Sequence, residues 1–142
     1  MSVFVLETIA STLPRFGYRF SDEAQLHNGI AKVLDEAGIE YEHEKVAGPK
    51  DRFDFFCSGI VIEAKIHGSF SEAMRQADRY LAREDVAGLV LVTTRHWGKY
   101  MPPAQVSMDG GVVTMRYMGP SAPPATLRGK PIRVIKVRSQ AF

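Results

Sequence analysis

The stretch RFDFFCSGIVIEAKI, residues 52 to 66, decides how this chain folds. It is apolar and rich in β-forming residues on both sides of Ser58-Gly59, which is typical of two short strands joined by a tight turn. A two-residue turn at this point places Asp54 opposite Glu63 across the predicted hairpin. The other predicted pairs are Cys57 with Ile60, Phe56 with Val61, and Phe55 with Ile62.

The two faces of the predicted hairpin differ in chemistry, because directly opposed residues of an antiparallel pair share a face. One face is wholly apolar and carries Phe53, Phe55, Cys57, Ile60, Ile62 and Ala64. The other face carries the charged side chains and consists of Arg52, Asp54, Phe56, Val61, Glu63 and Lys65.

Two carboxylates that face each other across a ladder repel, at a cost of about 0.2–1 kcal/mol. Mg²⁺ would offset this repulsion, because it takes oxygen ligands and often uses one or two carboxylates with waters and a substrate phosphate. Lys65 lies two residues from Glu63 on the same face, so its ammonium reaches the same volume. Such a site activates water against a phosphodiester. The alternative is a solvated face on which Arg52, Asp54, Glu63 and Lys65 only neutralise one another, since surface ion pairs contribute little.

Length and composition indicate one ordinary globular domain. The chain has 142 residues, of which 45% are hydrophobic and 24% charged; this length suffices to bury a core. The single cysteine, Cys57, excludes a disulfide framework and any cysteine-rich zinc or iron–sulfur site. The N-terminus has neither a basic segment nor a long apolar run, so we expect a cytoplasmic protein without a membrane span.

Charge is distributed unevenly along the chain. Up to residue 109 there are 12 basic and 16 acidic residues, a formal charge of −4. From Gly110 onward there are 6 basic residues and no acidic ones. A basic C-terminal third suits a phosphate-rich partner such as DNA, although charges spread along strands also serve solubility.

Helix and strand patterns surround the hairpin in a definite order. We predict a helix over residues 21–37 capped by Ser21 or Asp22, a strand over 39–46, and a second helix over 69–83 capped by Ser69. A buried strand follows over 88–94, and three further strands over 105–108, 112–118 and 131–137. His43 and His67 are isolated, with no second His or Cys at metal-ligand spacing, so we predict structural roles for both.

This order resembles the core of the PD-(D/E)XK nuclease superfamily over roughly residues 21–94. The hairpin carries the pattern D-x₈-E-x-K, and the following helix carries the Q-x-x-x-Y pattern of RecB-like members. The matching residues are Asp54, Glu63 and Lys65 on the hairpin, Gln76 and Tyr80 on the later helix, and Glu23 on the first helix.

The resemblance implies an α/β fold, with a central mixed β-sheet flanked by helices in the αβββαβ order of restriction endonucleases. One nuclease domain would span residues 1–142, with a basic C-terminal β extension at about 105–142. Mg²⁺ or Mn²⁺ would be held by Asp54, Glu63 and the main-chain carbonyl of Ala64. Glu23 would complete the metal shell directly or through water.

The same resemblance assigns the remaining roles. Lys65 would orient the attacking water and help to deprotonate it, while Gln76 and Tyr80 would position Lys65, water or a DNA phosphate. We expect DNA contacts from the arginines around this site, Arg52, Arg75 and Arg79.

The expected activity is a metal-dependent DNA endonuclease, similar to stand-alone Holliday-junction resolvases of the archaeal type and to small phage-encoded nucleases. A homodimer would be needed to cut both strands. Two alternatives are a catalytically silent DNA- or protein-binding module and the nuclease subunit of a larger restriction or repair complex. The chain departs from the family pattern in having Phe53 instead of proline before Asp54, no cysteine cluster and no helicase motor.

Overall fold

A computed structural model describes residues 2–97, 104–109, 112–117 and 125–139. The helices within these ranges are α1 (Ser2–Thr12), α2 (Glu23–Glu36) and α3 (Phe70–Leu81), with a 3₁₀ turn at Leu13–Arg15. The strands are β1 (Gly17–Tyr18), β2 (Glu42–Val46), β3 (Arg52–Cys57), β4 (Ile60–Lys65), β5 (Gly88–Thr93), β6 (Ala104–Asp109), β7 (Val112–Tyr117), β8 (Thr126–Leu127), β9 (Lys130–Lys136) and β10 (Arg138–Ser139).

The described strands build one mixed sheet of eight strands in the order β2-β3-β4-β5-β9-β8-β6-β7. β3 is antiparallel to both β2 and β4, whereas β4, β5 and β9 run parallel to one another. β1 and β10 form a separate parallel pair. The predicted α/β class, with a central mixed sheet flanked by helices, is therefore confirmed.

Two hydrophobic clusters cover the two faces of this sheet. Leu6 of α1 and Leu26 of α2 are buried in one cluster together with Ile62 of β4. Met74 of α3 is buried in the other cluster, together with Val61 of β4. The sheet is thus sandwiched between α1 and α2 on one side and α3 on the other. Because α1 and β9 lie outside residues 21–94, the hydrophobic core extends beyond the segment that resembles the nuclease family.

The central hairpin has the predicted register. Cys57 pairs with Ile60, Phe56 with Val61 and Phe55 with Ile62. Ser58 and Gly59 both have positive φ, of 49° and 89°, and two such residues in succession make the type I′ turn that matches the twist of a hairpin.

The predicted apolar face is wrong at one residue. Phe55 packs with the α1 and α2 cluster, but Phe53 packs with the α3 cluster, its ring 4.9 Å from that of Tyr80. Residues two apart on a regular strand share a face. The alternation therefore breaks at Asp54, which has no backbone partner in the registers of β3 with β2 or with β4.

Local capping sets the ends of the two helices beside the hairpin. The Asp22 carboxylate accepts from the Gln25 N–H at 2.9 Å, and the Ser69 hydroxyl accepts from the Glu72 N–H at 3.1 Å. Both are N-caps of the predicted kind. The predicted strand over 39–46 is shorter in the structure, since β2 begins only at Glu42.

The C-terminal strands join the main sheet. The predicted hairpin over 105–118 is confirmed as the antiparallel pair β6 and β7, and the predicted last strand is confirmed as β9. β9 lies directly beside β5, so the expected C-terminal extension continues the sheet that carries the hairpin. No helix in the described part of the chain is long and apolar enough to cross a membrane.

Candidate active site

The candidate site lies where β3 and β4 separate. Beyond the last backbone pair, Phe55 with Ile62, the Asp54 N–H donates to Glu63 Oε1 at 3.0 Å. The Ala64 N–H donates in turn to Asp54 Oδ2 at 2.8 Å. Each carboxylate thus replaces a main-chain carbonyl as the acceptor for the opposite strand, and the two acids are brought together in the opened ladder.

The pKa values of the two acids are shifted in opposite directions. Glu63 is only 3% exposed, and burial, followed by the charge of Asp54, holds its pKa well above the usual value. Burial also acts to raise the pKa of Asp54, but the interaction with His27, the hydrogen bond from Ala64 and the nearby charge of Lys65 outweigh it and lower that pKa. The negative charge of the pair therefore resides first on Asp54, and ionising Glu63 as well is unfavourable.

This environment fits a hard divalent cation. The carboxylates of Asp54 and Glu63 and the adjacent Ala64 carbonyl are oxygen donors, the type that Mg²⁺ and Mn²⁺ prefer. Burial and the neighbouring charge of Asp54 both disfavour the ionised form of Glu63 and so raise its pKa. A bound cation would supply positive charge that favours the ionised form.

Glu23 reaches the same end of the hairpin from α2. Its Oε1 accepts from the Ile66 N–H at 3.2 Å, one residue beyond Lys65. Among the described side chains, however, Glu23, Asp54 and Glu63 do not form a set whose ligand oxygens all lie within 4.8 Å of one another. The predicted role of Glu23 as a metal ligand, directly or through water, stays a prediction.

Lys65 ends β4 half-buried and lines a cavity of about 300 Å³ at the start of α3. Arg75, Gln76 and Arg79 line the same cavity. Four predicted site residues are therefore gathered around one opening, and three of them carry positive charge.

Tyr80 lies behind this cavity and is 2% exposed. Its hydroxyl accepts from Gln76 Nε2 at 3.1 Å and donates to the Arg52 carbonyl at 3.2 Å. Burial, followed by the charge of Glu63, raises the pKa of Tyr80 to about 12, so the phenol stays protonated at neutral pH. Tyr80 therefore fixes α3 to the start of β3 and holds Gln76 in place.

The predicted DNA-contacting arginines differ in availability. Arg52 and Arg75 are exposed. Arg79 is 53% exposed, but its Nε lies 2.8 Å from Asp51 Oδ1. An acidic partner offsets part of the charge that Arg79 offers to a phosphate.

The basic C-terminal segment is partly committed within the protein. Arg128 pairs with Asp78 at 2.8 Å, and Arg133 pairs with Glu7. Lys130 Nζ donates to three carbonyls at and just beyond the C-terminal end of α3, those of Leu81, Arg83 and Val86, at 2.6–2.8 Å. These three cations stabilise the packing of the C-terminal strands, which reduces the positive charge available for a partner.

His27 is the site residue that sequence reasoning missed. Its Nε2 lies 3.3 Å from Asp54 Oδ2, and its Nδ1 lies 3.2 Å from Nε2 of His43. The prediction that His43 is isolated is therefore wrong, because α2 brings His27 against the edge strand. One signal was present: His27 follows Glu23 by four residues and so shares its helix face.

The raised pKa of Glu63 should make the stability of the protein depend on pH. A folded-state pKa raised above the unfolded value means that the contribution of Glu63 to stability falls as the pH rises through the folded-state pKa. Glu63→Gln keeps an acceptor oxygen for the Asp54 N–H and removes the charge. In EDTA at about pH 8, this variant should be more stable than the wild type, because it removes a buried charge that lies beside the charge of Asp54.

Urea denaturation at about pH 5 and about pH 8 measures this difference, which should shrink at the lower pH. Glu84→Gln changes an exposed glutamate and serves as the matched control. A Glu63→Gln protein that is less stable than the wild type at about pH 8 would contradict the described electrostatics.

Comparison of the chain with models of known protein families, with curated protein sequences and with solved structures gives no significant match. The resemblance to the PD-(D/E)XK superfamily therefore stays a prediction based on the motif residues and their arrangement.

Proposed function

We propose that this protein is a metal-dependent DNA endonuclease that hydrolyses phosphodiester bonds by attack of water. The observation that carries the proposal is the convergence of Asp54 and Glu63 in the opened ladder, each bonded to the main chain of the opposite strand. Two adjacent carboxylates whose pKa values are shifted in opposite directions, that of Glu63 upward and that of Asp54 downward, are typical of functional sites. Lys65 lies two residues beyond Glu63 and opens onto the adjacent cavity.

Asp54 and Glu63, with the Ala64 carbonyl, would hold Mg²⁺ or Mn²⁺. When bound, such an ion supplies a Lewis acid for the phosphoryl oxygen and makes bound water more acidic. The hydrogen bonds from the Asp54 and Ala64 N–H groups orient the two carboxylates before any ion arrives. This preorganisation lowers the entropic cost of assembling the site.

Lys65 orients the attacking water and stabilises the charge that develops on the phosphoryl oxygens. Gln76, held by its hydrogen bond to Tyr80, offers its amide at the wall of the same cavity. The cations that line this cavity favour a phosphate, because positive charge beside an acidic pair offsets its repulsion of the DNA backbone.

The substrate class is DNA, including branched DNA of recombination and repair. The part of the chain that the structure describes contains one such acidic pair, so cutting both strands of a duplex would take two subunits. We therefore propose a homodimer as the active form on duplex or junction substrates.

The catalytic role of Lys65 is tested by plasmid nicking. Lys65→Ala should lower the rate of nicking in Mg²⁺ or Mn²⁺ by about 10²-fold or more, the usual loss when a group that assists proton transfer is removed. Lys32→Ala, which truncates an exposed lysine of α2, should nick like the wild type. EDTA should stop both proteins.

Equal nicking by the wild type and Lys65→Ala would indicate a contaminating nuclease and contradict the proposal. A wild-type protein that binds DNA but never cuts plasmid, junction, flap or single-stranded substrates would instead favour the binding module. Activity of the purified chain alone would argue against a role only as a subunit of a larger complex.

If Arg75 and Arg79, which line the cavity, contact DNA phosphates, DNA binding should depend on salt concentration. Binding measured by fluorescence anisotropy in EDTA should weaken steeply as salt rises, because each neutralised phosphate releases counterions. Arg75→Ala should reduce the slope of log affinity against log salt by about 1. Arg15→Ala, at an exposed arginine after α1, should leave the slope unchanged. An unchanged slope in Arg75→Ala would remove this residue from the interface.

A further inference from the structure

A second cluster of ligand-type side chains lies on the α2 side of the hairpin. Nδ1 of His27 is 3.2 Å from Nε2 of His43. Glu44 adds a carboxylate, and one ligand atom from each of the three side chains lies within 4.8 Å of the other two. The imidazole rings meet edge to face, with centroids 5.3 Å apart and planes inclined by 70°.

The backbone of β2 explains how two consecutive residues reach one point. Neighbours on a regular strand point to opposite faces. Glu44, however, has a positive φ of 55° and is skipped in the pairing with β3, between His43 opposite Phe55 and Lys45 opposite Phe53. Left-handed backbone is uncommon for a glutamate and clusters at binding sites.

Both imidazoles are held by the protein. His43 stacks on Phe55, with centroids 4.6 Å apart and planes inclined by 19°. His27 is half-buried, and its second ring nitrogen, Nε2, lies 3.3 Å from Asp54 Oδ2. A histidine that binds a metal commonly directs its other N–H at a carboxylate, which fixes the tautomer and the ring orientation.

We propose that His27, His43 and Glu44 bind one divalent transition-metal ion of the Zn²⁺ class, at a site separate from the acidic pair. Two imidazole nitrogens and one carboxylate suit borderline metals better than Mg²⁺. With Zn–N bonds of about 2.0–2.1 Å, two nitrogens of a tetrahedral site lie about 3.3–3.4 Å apart. The 3.2 Å separation of the two ring nitrogens is close to this spacing.

The proposed ion has a defined relation to the rest of the fold. It joins α2 to the edge strand β2 through His27 and His43, which are 16 residues apart in the sequence. A metal on Nδ1 of His27 leaves the ring proton on Nε2, where it faces Asp54. Binding to the native state alone raises the unfolding temperature. The inference does not depend on the proposed hydrolysis.

Co²⁺ is the probe for this site. Four- or five-coordinate Co²⁺ absorbs visible light much more strongly than the octahedral ion in water. Titration of the full chain should give these bands, saturating at one ion per chain, and Zn²⁺ should displace them. His43→Ala and Glu44→Gln should each weaken Co²⁺ binding at least tenfold. His67 is an exposed histidine that lines the cavity beside Lys65, away from the proposed ion. His67→Ala should therefore bind Co²⁺ like the wild type.

Glu63→Gln separates this site from the acidic pair, since it alters only the latter and should keep the Co²⁺ bands. Far-UV circular dichroism and unfolding in EDTA establish that each variant is folded, and Glu44→Gln supplies the test if His43→Ala is not. Equal Co²⁺ binding by the wild type and Glu44→Gln or His43→Ala would overturn the proposal. Bands that vanish in Glu63→Gln but persist in His43→Ala would also overturn it.

Discussion

Asp54 and Glu63 exchange hydrogen-bond acceptors across the open end of the hairpin, and the candidate site is built around this exchange. Where the β3–β4 ladder opens, each carboxylate bonds a main-chain N–H of the opposite strand, at 3.0 Å and 2.8 Å. This arrangement satisfies the backbone, but it forces two acids into one partly buried space. The pKa of Glu63 is strongly raised as a result of burial and of the charge of Asp54, and a bound cation would relieve this electrostatic cost.

The surrounding elements hold this unfavourable pair in place. Glu23 bonds the main chain at Ile66, just past the end of β4, and Tyr80 ties α3 to the Arg52 carbonyl at the start of β3. His27 contacts Asp54 from α2. Both sides of the sandwich therefore meet the hairpin at its open end, where the two carboxylates lie. Functional sites commonly carry such local costs against stability.

Local signals in the sequence were sufficient for the hairpin register, both helix caps and the i, i+4 pair of Gln76 and Tyr80, because these depend on residues close in the chain. The insertion of β9 beside β5 depends on packing between distant segments, and no local pattern encodes it. The same holds for the meeting of His27 and His43. Phe53 was assigned to the wrong face because period-two alternation assumes a regular strand, and the interruption at Asp54 is a consequence of side-chain bonding.

We propose that Asp54 and Glu63 form a site for one hard divalent cation. Mg²⁺ calorimetry in buffers of different ionisation enthalpy tests this proposal. Mg²⁺ should bind at one ion per chain and release protons, because Glu63, whose pKa is raised, must ionise to coordinate. Asp54→Asn should abolish this binding. Mg²⁺ binding without proton release, and equally strong in Asp54→Asn, would show that these two carboxylates are not the ligands.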